Sequence, residues 1–323
     1  MTELLRFGFD EDVVPGDFEW PKQRVFINGK MHEKDVKLGG YQLGDHDLPV
    51  AHYRAEQERI FGDLHDRKYP VVFFEAETGA GKTSNVPLAA FETGNFDVTY
   101  LAEPRIVLAR EARKRLVMLA AQVYGQERAE QIIGFATSSE SVLHPDNRII
   151  VGTHGYVSGT ISHRREEDLV NSLLIVDEFH DREKEGDTVL EVAKALGVPS
   201  VVMSATIDTE SLSKHHSQYD GTPSPILHME GRKYSIDERY MDDATKAAAW
   251  SLNQGYDTLY LLPRVEDIKL ETDRISSRVE RPHIILPFHG QQSQSLQDRA
   301  LLRSYDVPKL ILSTKIGSTG LTV

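Results

Sequence analysis

The sequence predicts an α/β protein in which parallel sheets are covered by helices. Short apolar runs of strand length recur along the chain, and segments with helical spacing separate them. Near-continuous apolar strands are typical of parallel sheets, because both faces of such a sheet are buried. With 323 residues, of which 40% are hydrophobic and 27% charged, the chain is long enough for two domains with ordinary globular cores.

The first series of predicted elements begins near residue 48. Residues 50–64 have the spacing of an amphipathic helix. The apolar runs that follow predict strands at 70–75, 96–101, 148–152, 173–177 and 200–204. We therefore expect a first domain over residues 46–229.

A second series begins near residue 230 and contains the predicted strands 258–262, 283–286 and 309–313. A parallel strand needs a long crossover to its neighbour, and only ten residues follow the last of these runs. We therefore expect a second domain over residues 230–323 whose sheet is incomplete. Residues 1–45 are expected to be an N-terminal extension with a hairpin at Asn28-Gly29, a pair typical of type I′ turns.

Composition excludes several classes of function. The chain has no cysteine, which excludes thiol catalysis, disulfide scaffolds and cysteine-ligated zinc. No run approaches the ~20 apolar residues that span a bilayer, so we expect a soluble, cytoplasmic protein with no membrane contact. The formal charge of -13 argues against binding of nucleic acid through the overall electrostatic field of the chain. Any such binding must use a local basic patch.

A glycine-rich loop follows the first predicted strand and precedes a helical segment. With Ala76 in place of the pattern's first glycine, it matches the phosphate-binding P-loop in the sequence Glu77-Thr78-Gly79-Ala80-Gly81-Lys82-Thr83-Ser84. Glycines let the backbone curl so that N–H groups converge on phosphates. Lys82 brings a positive charge to the β and γ phosphates, and the Thr83 hydroxyl is a ligand for Mg²⁺. We therefore predict an ATP and Mg²⁺ site here, in preference to an incidental turn.

Two acidic residues follow the apolar run 173–176. Asp177 and Glu178 are expected at the carboxyl edge of the sheet, where open α/β sheets bind ligands. Asp177 is placed to meet Mg²⁺, and Glu178 to orient or deprotonate an attacking water. Adjacent acids at a strand end are often only solvated turn residues, but together with the loop they predict a nucleoside triphosphatase.

These residues carry a family resemblance. Asp177-Glu178-Phe179-His180 resembles the Asp-Glu-X-His box of superfamily 2 helicases, and the flanking segments resemble the DEAH-box RNA helicase branch. Further segments similar to family motifs follow in the family's order: Glu103-Pro104-Arg105, Thr153-His154-Gly155, Ser204-Ala205-Thr206, Leu261-Leu262-Pro263 and Ser313 to Thr322. The family usually has aspartate at the position of His154. The resemblance, from residue 48 to the end, implies tandem RecA-like domains.

The resemblance also implies roles for individual residues. Lys82, Asp177, Glu178 and His180 would be catalytic, with His180 reporting the state of the γ-phosphate. The ATP cleft would be coupled to the nucleic acid through Ser204, Ala205 and Thr206. The expected contacts to single-stranded nucleic acid, RNA in preference to DNA, are Pro104, Arg105, Thr153, Gly155, Thr314 and Thr319. No protein partner is predicted.

The leading hypothesis is an ATP-dependent helicase or translocase of the DExH type. The alternative is a clamp that binds ATP and nucleic acid with little turnover, because the family's arginine-rich motif VI would lie beyond Val323. An arginine finger contributes about 10³ to 10⁵ in rate. A P-loop ATPase acting on proteins or DNA structure is a third possibility, but it gives no reason for the ordered motifs.

Overall fold

The structure is a computed structural model. It describes residues 23–27, 30–34, 53–76, 80–179, 184–205, 209–217, 222–229, 239–301 and 305–317. The chain divides into a large unit, residues 42–236, and a small unit, residues 237–323 together with 1–41.

Strands and helices alternate along most of the chain. The strands are β1 Gln23–Ile27, β2 Lys30–Lys34, β3 Val71–Ala76, β4 Val98–Glu103, β5 Ile133–Ala136, β6 Ser141–Val142, β7 Ile149–Thr153, β8 Ser172–Val176, β9 Ser200–Ser204, β10 Ile226–Met229, β11 Thr258–Leu261, β12 Ile284–Phe288 and β13 Lys309–Ser313. The helices are α1 Arg54–His65, α2 Lys82–Thr93, α3 Ile106–Tyr124, α4 Gln126–Ile132, α5 His154–Ser162, α6 Glu166–Leu169, α7 Lys184–Ala195, α8 Thr209–His215, α9 Ala244–Gln254, α10 Val265–Ser276 and α11 Gln294–Leu301.

The large unit is built on one sheet of eight strands in the order β10-β3-β9-β8-β4-β7-β5-β6. Neighbouring strands are parallel except β5 and β6, which are antiparallel. Alternate residues of β3 enter two different cores, Val72 and Phe74 on one face and Val71 and Phe73 on the other. The predicted α/β fold, with a parallel sheet buried on both faces, is therefore confirmed.

The strands predicted from apolar runs all occur, with ends shifted by no more than two residues. Three strands of the large sheet were not predicted: β5, β6 and β10. β5 has four residues and follows α4 directly, so neither a turn nor a change of composition separates it from the helix. β10 lies at the edge of the sheet, where it pairs with β3.

The small unit contains a three-stranded parallel sheet in the order β11-β13-β12. Its core consists of residues from α9, α10 and the strands, including Leu252, Ile268, Leu310 and Leu312. The hairpin prediction is confirmed, since β1 pairs with β2 in antiparallel register, although its turn residues lie outside the described part. Among the described residues, no helix combines the length and apolar character needed to cross a membrane.

Candidate functional site

The predicted site residues of the large unit that the structure describes lie at one edge of its sheet. Five consecutive strands, in the order β3, β9, β8, β4 and β7, run parallel, so their carboxyl ends meet at the same edge. The glycine-rich loop follows β3 and the acidic pair follows β8. The sheet order thus gathers segments that are distant in sequence, as the rule for open α/β sheets predicts.

The glycine-rich loop leads into α2 through Gly81. This residue has φ of 92°, a left-handed conformation that glycine adopts without a steric penalty. Lys82 is buried, and its Nζ donates a hydrogen bond to the Ala76 carbonyl oxygen at 2.5 Å. Burial lowers the pKa of Lys82, and the negative charges of Asp177 and Glu178 oppose that change.

The remaining loop residues fall into two groups. Glu77, Thr78 and Gly79 lie outside the described residues. Ala80 and Ser84 are buried, and the Ser84 hydroxyl donates to the Gly81 carbonyl oxygen at 3.4 Å. The side chain of Ser84 therefore contacts the local backbone at the start of α2.

Thr83 and Asp177 are in direct contact. The Thr83 Oγ1 donates a hydrogen bond to Asp177 Oδ2 at 2.5 Å, across a separation of 94 residues in sequence. Asp177 is fully buried, and its backbone N–H donates to the carbonyl oxygen of Ala102 on β4 at 2.9 Å. A hydroxyl and a carboxylate side by side are the hard oxygen ligands that Mg²⁺ prefers, so this pair could hold that ion.

Glu178 has an unusual backbone conformation. Its φ is 50°, in the left-handed region that non-glycine residues rarely adopt. Its N–H donates to Oδ1 of Asp177 at 2.8 Å, and the residue is buried. Strained backbone of this kind persists where the surroundings fix it, often at functional sites. His180, predicted to act beside it, lies outside the described residues.

Sequence analysis gave no role to two buried residues at this edge. Glu103 ends β4 and is 2% exposed, and its Oε1 has no hydrogen-bond partner within the described part of the chain. Burial, followed by the charges of Asp177 and Glu178, raises the pKa of Glu103 well above its usual value, while Arg115 opposes this. The sequence feature that could have identified Glu103 is its place as a third acid at the end of an apolar strand.

His154 is the second residue of this kind. It is 3% exposed, and its Nε2 lies 3.3 Å from the carbonyl oxygen of Asp177. Burial lowers the pKa of His154, so the ring is neutral at pH 7. A neutral imidazole facing a carbonyl oxygen donates to it, which assigns the proton to Nε2.

The predicted coupling segment begins at the last residue of β9, a strand that lies between β3 and β8. Ser204 is buried, and its hydroxyl has no hydrogen-bond partner among the residues that the structure describes. Ala205 is half-buried, and Thr206 lies outside the described residues. The structure therefore brings Ser204 and Ala205 to the site edge.

Four of the predicted nucleic-acid contacts lie at adjoining strand ends. Pro104 and Arg105 follow β4, and Thr153 and Gly155 flank the start of α5 after β7. Strands β4 and β7 are neighbours, with Glu103 opposite Thr153. Gly155 is exposed, and nothing lies within 4 Å of the place where a Cβ would be.

The other two predicted contacts belong to the small unit. Thr314 follows β13, and its N–H donates to the Phe288 carbonyl oxygen at 3.2 Å. Thr319 lies outside the described residues. The structure therefore places Thr314 at a strand end, as predicted.

Comparison with known proteins places this site in a family. Residues 54–214 match the family model described as DEAD/DEAH box helicase. The ATP-dependent RNA helicase HrpB of Escherichia coli (strain K12) is 30% identical over 79% of this chain and 32% of its own length. The putative ATP-dependent RNA helicase DHX57 of Homo sapiens is 26% identical over 80% of this chain and 19% of its own length.

A solved structure agrees with these matches. The crystal structure of the Escherichia coli DEAH/RHA helicase HrpB superposes with a TM-score of 0.68 and 27% identity, covering 85% of this chain and 36% of that one. The chain thus spans less than a third of the length of the two curated relatives. From the family match and the fold, the chain belongs to the DEAD/DEAH box helicases, in the DExH group of superfamily 2.

Proposed function

We propose that this chain carries the ATP-hydrolysing site of a helicase or translocase that moves along single-stranded RNA. The observation that supports it most is the contact between Thr83 Oγ1 and Asp177 Oδ2, which joins the glycine-rich loop to the acidic strand end. The curated relatives bear the names of ATP-dependent RNA helicases. Their names favour RNA over DNA as the nucleic acid.

In this proposal, each residue of the site has a separate task. Lys82 leaves the Ala76 carbonyl oxygen and binds the β and γ phosphates of ATP. Thr83 and Asp177 would hold Mg²⁺, an ion that neutralises charge developing on the phosphates. Glu178 orients a water for in-line attack on the γ-phosphorus and accepts its proton. The new P–O bond forms as the bond to the ADP oxygen breaks.

The nucleic acid would be held through its backbone. The large unit would supply one cation, one hydroxyl and backbone groups at adjoining strand ends, from Pro104, Arg105, Thr153 and Gly155. Thr314 and Thr319 would act from the small unit. Contacts of this type track sugar and phosphate and do not read base identity. With a formal charge of -13 on the chain, binding depends on these local contacts and weakens with salt. His180 and the segment 204–206 would couple this surface to the state of the γ-phosphate.

Two substitutions test the assignment of roles. Lys82→Ala removes the charge that binds phosphate, so we expect nucleotide affinity to fall at least about tenfold. Glu178→Gln leaves the phosphate contacts intact, so binding should stay within about threefold while hydrolysis falls by about 10² to 10⁴. Binding is measured with a fluorescent ATP analogue, and hydrolysis with and without oligouridylate.

Lys68→Ala is the matched control, because Lys68 is an exposed lysine of the same unit paired with Asp63 at 2.6 Å. It should change neither measurement. Equal loss of nucleotide binding in Lys82→Ala and Glu178→Gln would contradict the assigned roles. Tight binding of ATP and oligouridylate without stimulated hydrolysis in the wild type would favour the clamp over the motor.

A further inference from the structure

The peptide between Asp177 and Glu178 is held at both ends. Its carbonyl oxygen faces His154 Nε2 at 3.3 Å, and its N–H donates to Asp177 Oδ1 at 2.8 Å. Rotation of this peptide plane changes φ of Glu178, which is 50°. The two hydrogen bonds therefore hold the unusual backbone conformation from which the Glu178 side chain projects.

His154 contacts this peptide although the strand that precedes it, β7, does not adjoin β8. It is the first residue of α5 and directly follows β7, and β4 lies between β7 and β8 in the sheet. The Ala102 backbone on β4 and the Asp177 backbone at the end of β8 both act on the pKa of the His154 ring, which places the ring near the ends of these two strands. The ring thus links the end of β7 to the ends of β4 and β8.

The close approach of α7 leaves little room for the ring to move. A Cβ on Gly186 would lie 3.3 Å from both Nδ1 and Cε1 of His154, a distance tighter than most real Cβ contacts. The ring Nδ1 is buried and has no hydrogen-bond partner in the described part of the chain. Of the contacts described for the ring, the Nε2 hydrogen bond is the directional one that sets its orientation.

The neighbours of His154 in sequence are Thr153 and Gly155, which the proposed function assigns to nucleic-acid binding. A single strand of nucleic acid that contacts Thr153 and Gly155 would displace the first turn of α5. His154 lies in that turn. We propose that His154 is a positioning residue that transmits nucleic-acid occupancy at Thr153 and Gly155 to Glu178 through the Asp177–Glu178 peptide. This inference rests on the proposed function, and it adds a route by which the two sites communicate.

Coupling between two ligands is measured from binding alone, without turnover. The affinity of the full chain for oligouridylate is determined with and without a non-hydrolysable ATP analogue and Mg²⁺. We expect the wild-type ratio of the two affinities to differ from one by about fivefold or more, as is typical of coupled sites. In His154→Ala the ratio should approach one, while the affinity for each ligand alone stays within about twofold.

Three further variants separate positioning from folding. His154→Gln keeps an N–H donor within reach of the carbonyl oxygen and should restore at least half of the coupling. Gly186→Ala presses on the ring from α7, so it should reduce coupling, and its melting temperature measures the cost of the crowding. His163→Ala removes an exposed histidine at the opposite end of α5 and should leave coupling unchanged.

The outcomes distinguish this inference from the function on which it rests. If the chain binds neither ATP analogue nor oligouridylate, the proposed function fails and this inference fails with it. If both bind and the wild-type ratio is one, or if His154→Ala and Gly186→Ala keep the wild-type ratio, this inference alone is overturned. Failure of His154→Gln to restore coupling overturns it as well.

Discussion

A buried glutamate in the large unit and another in the small unit differ in their hydrogen-bond partners. In the large unit, Glu103 ends β4 beside Asp177 and Glu178, and its Oε1 has no partner among the described residues. In the small unit, Glu271 on α10 accepts a hydrogen bond from Thr245 Oγ1 at 2.6 Å on one oxygen and from Arg274 Nη1 at 2.8 Å on the other. Both residues are more than nine-tenths buried.

The difference follows from what each region is arranged to do. A buried polar atom without a hydrogen bond costs about 1–3 kcal/mol, and like charges nearby increase that cost. Glu271 avoids this cost through its two donors. At the site edge Glu103 lies near the like charges of Asp177 and Glu178. Their repulsion lowers the stability of the fold and favours the binding of cations there. Burial of Glu103 therefore lowers the stability of the large unit, whereas burial of Glu271 does not lower that of the small unit.

The largest expected contrast is between a buried apolar residue of the large sheet and an exposed apolar residue of the small sheet. Phe74 in β3 is fully buried, and its ring centroid lies 6.1 Å from that of Phe61. Leu261 in the edge strand β11 is 45% exposed. We expect Phe74→Ala to cost about 3–5 kcal/mol and Leu261→Ala no more than about 0.5 kcal/mol. Hydrogen exchange of peptides covering 71–76 and 258–261, with urea unfolding of the whole chain, measures both. Similar costs for both variants would contradict the burial of Phe74 or the exposure of Leu261.

The second contrast concerns the two glutamates directly. Glu103→Gln removes a charge that the fold disfavours, so the metal-free protein should become more stable by about 1–3 kcal/mol at neutral pH. Glu271→Gln weakens a charge-assisted pair with Arg274, so it should lower stability. Urea unfolding without nucleotide or Mg²⁺ measures both changes.

The pH dependence sharpens this second prediction. The pKa of Glu103 is raised in the folded chain, so its contribution to stability is complete below the unfolded value of about 4.5. That contribution is lost as pH rises through the higher folded pKa. The advantage of Glu103→Gln over the wild type should therefore grow from pH 4.5 upward. An advantage that is constant with pH, or a loss, would contradict the unpaired state of Glu103.

The contrast between the units also marks what a sequence can predict. Five of the eight strands of the large sheet were predicted because apolar runs such as 71–74 are buried on both faces and carry a strong signal. The glycine-rich loop and the Asp177–Glu178 pair were predicted because each has a fixed order of residue types. The raised pKa of Glu103 and the contact of His154 depend on distances between residues on different strands, so no local pattern contains them. The short strands β5, β6 and β10 were missed because runs of two to four residues carry little periodic signal.

The smallest expected effects concern the helix N-termini, where each unit supplies a side-chain cap. Thr153 Oγ1 accepts the Tyr156 N–H at 3.4 Å at the start of α5, and Asp243 Oδ1 accepts the Lys246 N–H at 3.1 Å at the start of α9. Thr153→Ala should cost about 0.5–1 kcal/mol at any pH, because a hydroxyl does not titrate. Asp243→Asn keeps an acceptor and should cost less at pH 7.

Acidification should reduce the stability contribution of the Asp243 cap and leave that of the Thr153 cap unchanged. The bond from the Lys246 N–H is the main cause that lowers the pKa of Asp243, so the stability that its carboxylate adds is present above the usual value of 3.8 and is lost as pH falls through the lower folded pKa. The difference between wild type and Asp243→Asn should therefore shrink below pH 4, while the difference for Thr153→Ala stays constant. Hydrogen exchange of 154–162 and 244–254, compared at pH 5 and pH 3, measures this. If the two differences respond to pH alike, Asp243 does not act as a charged cap, and the caps of the two units are equivalent.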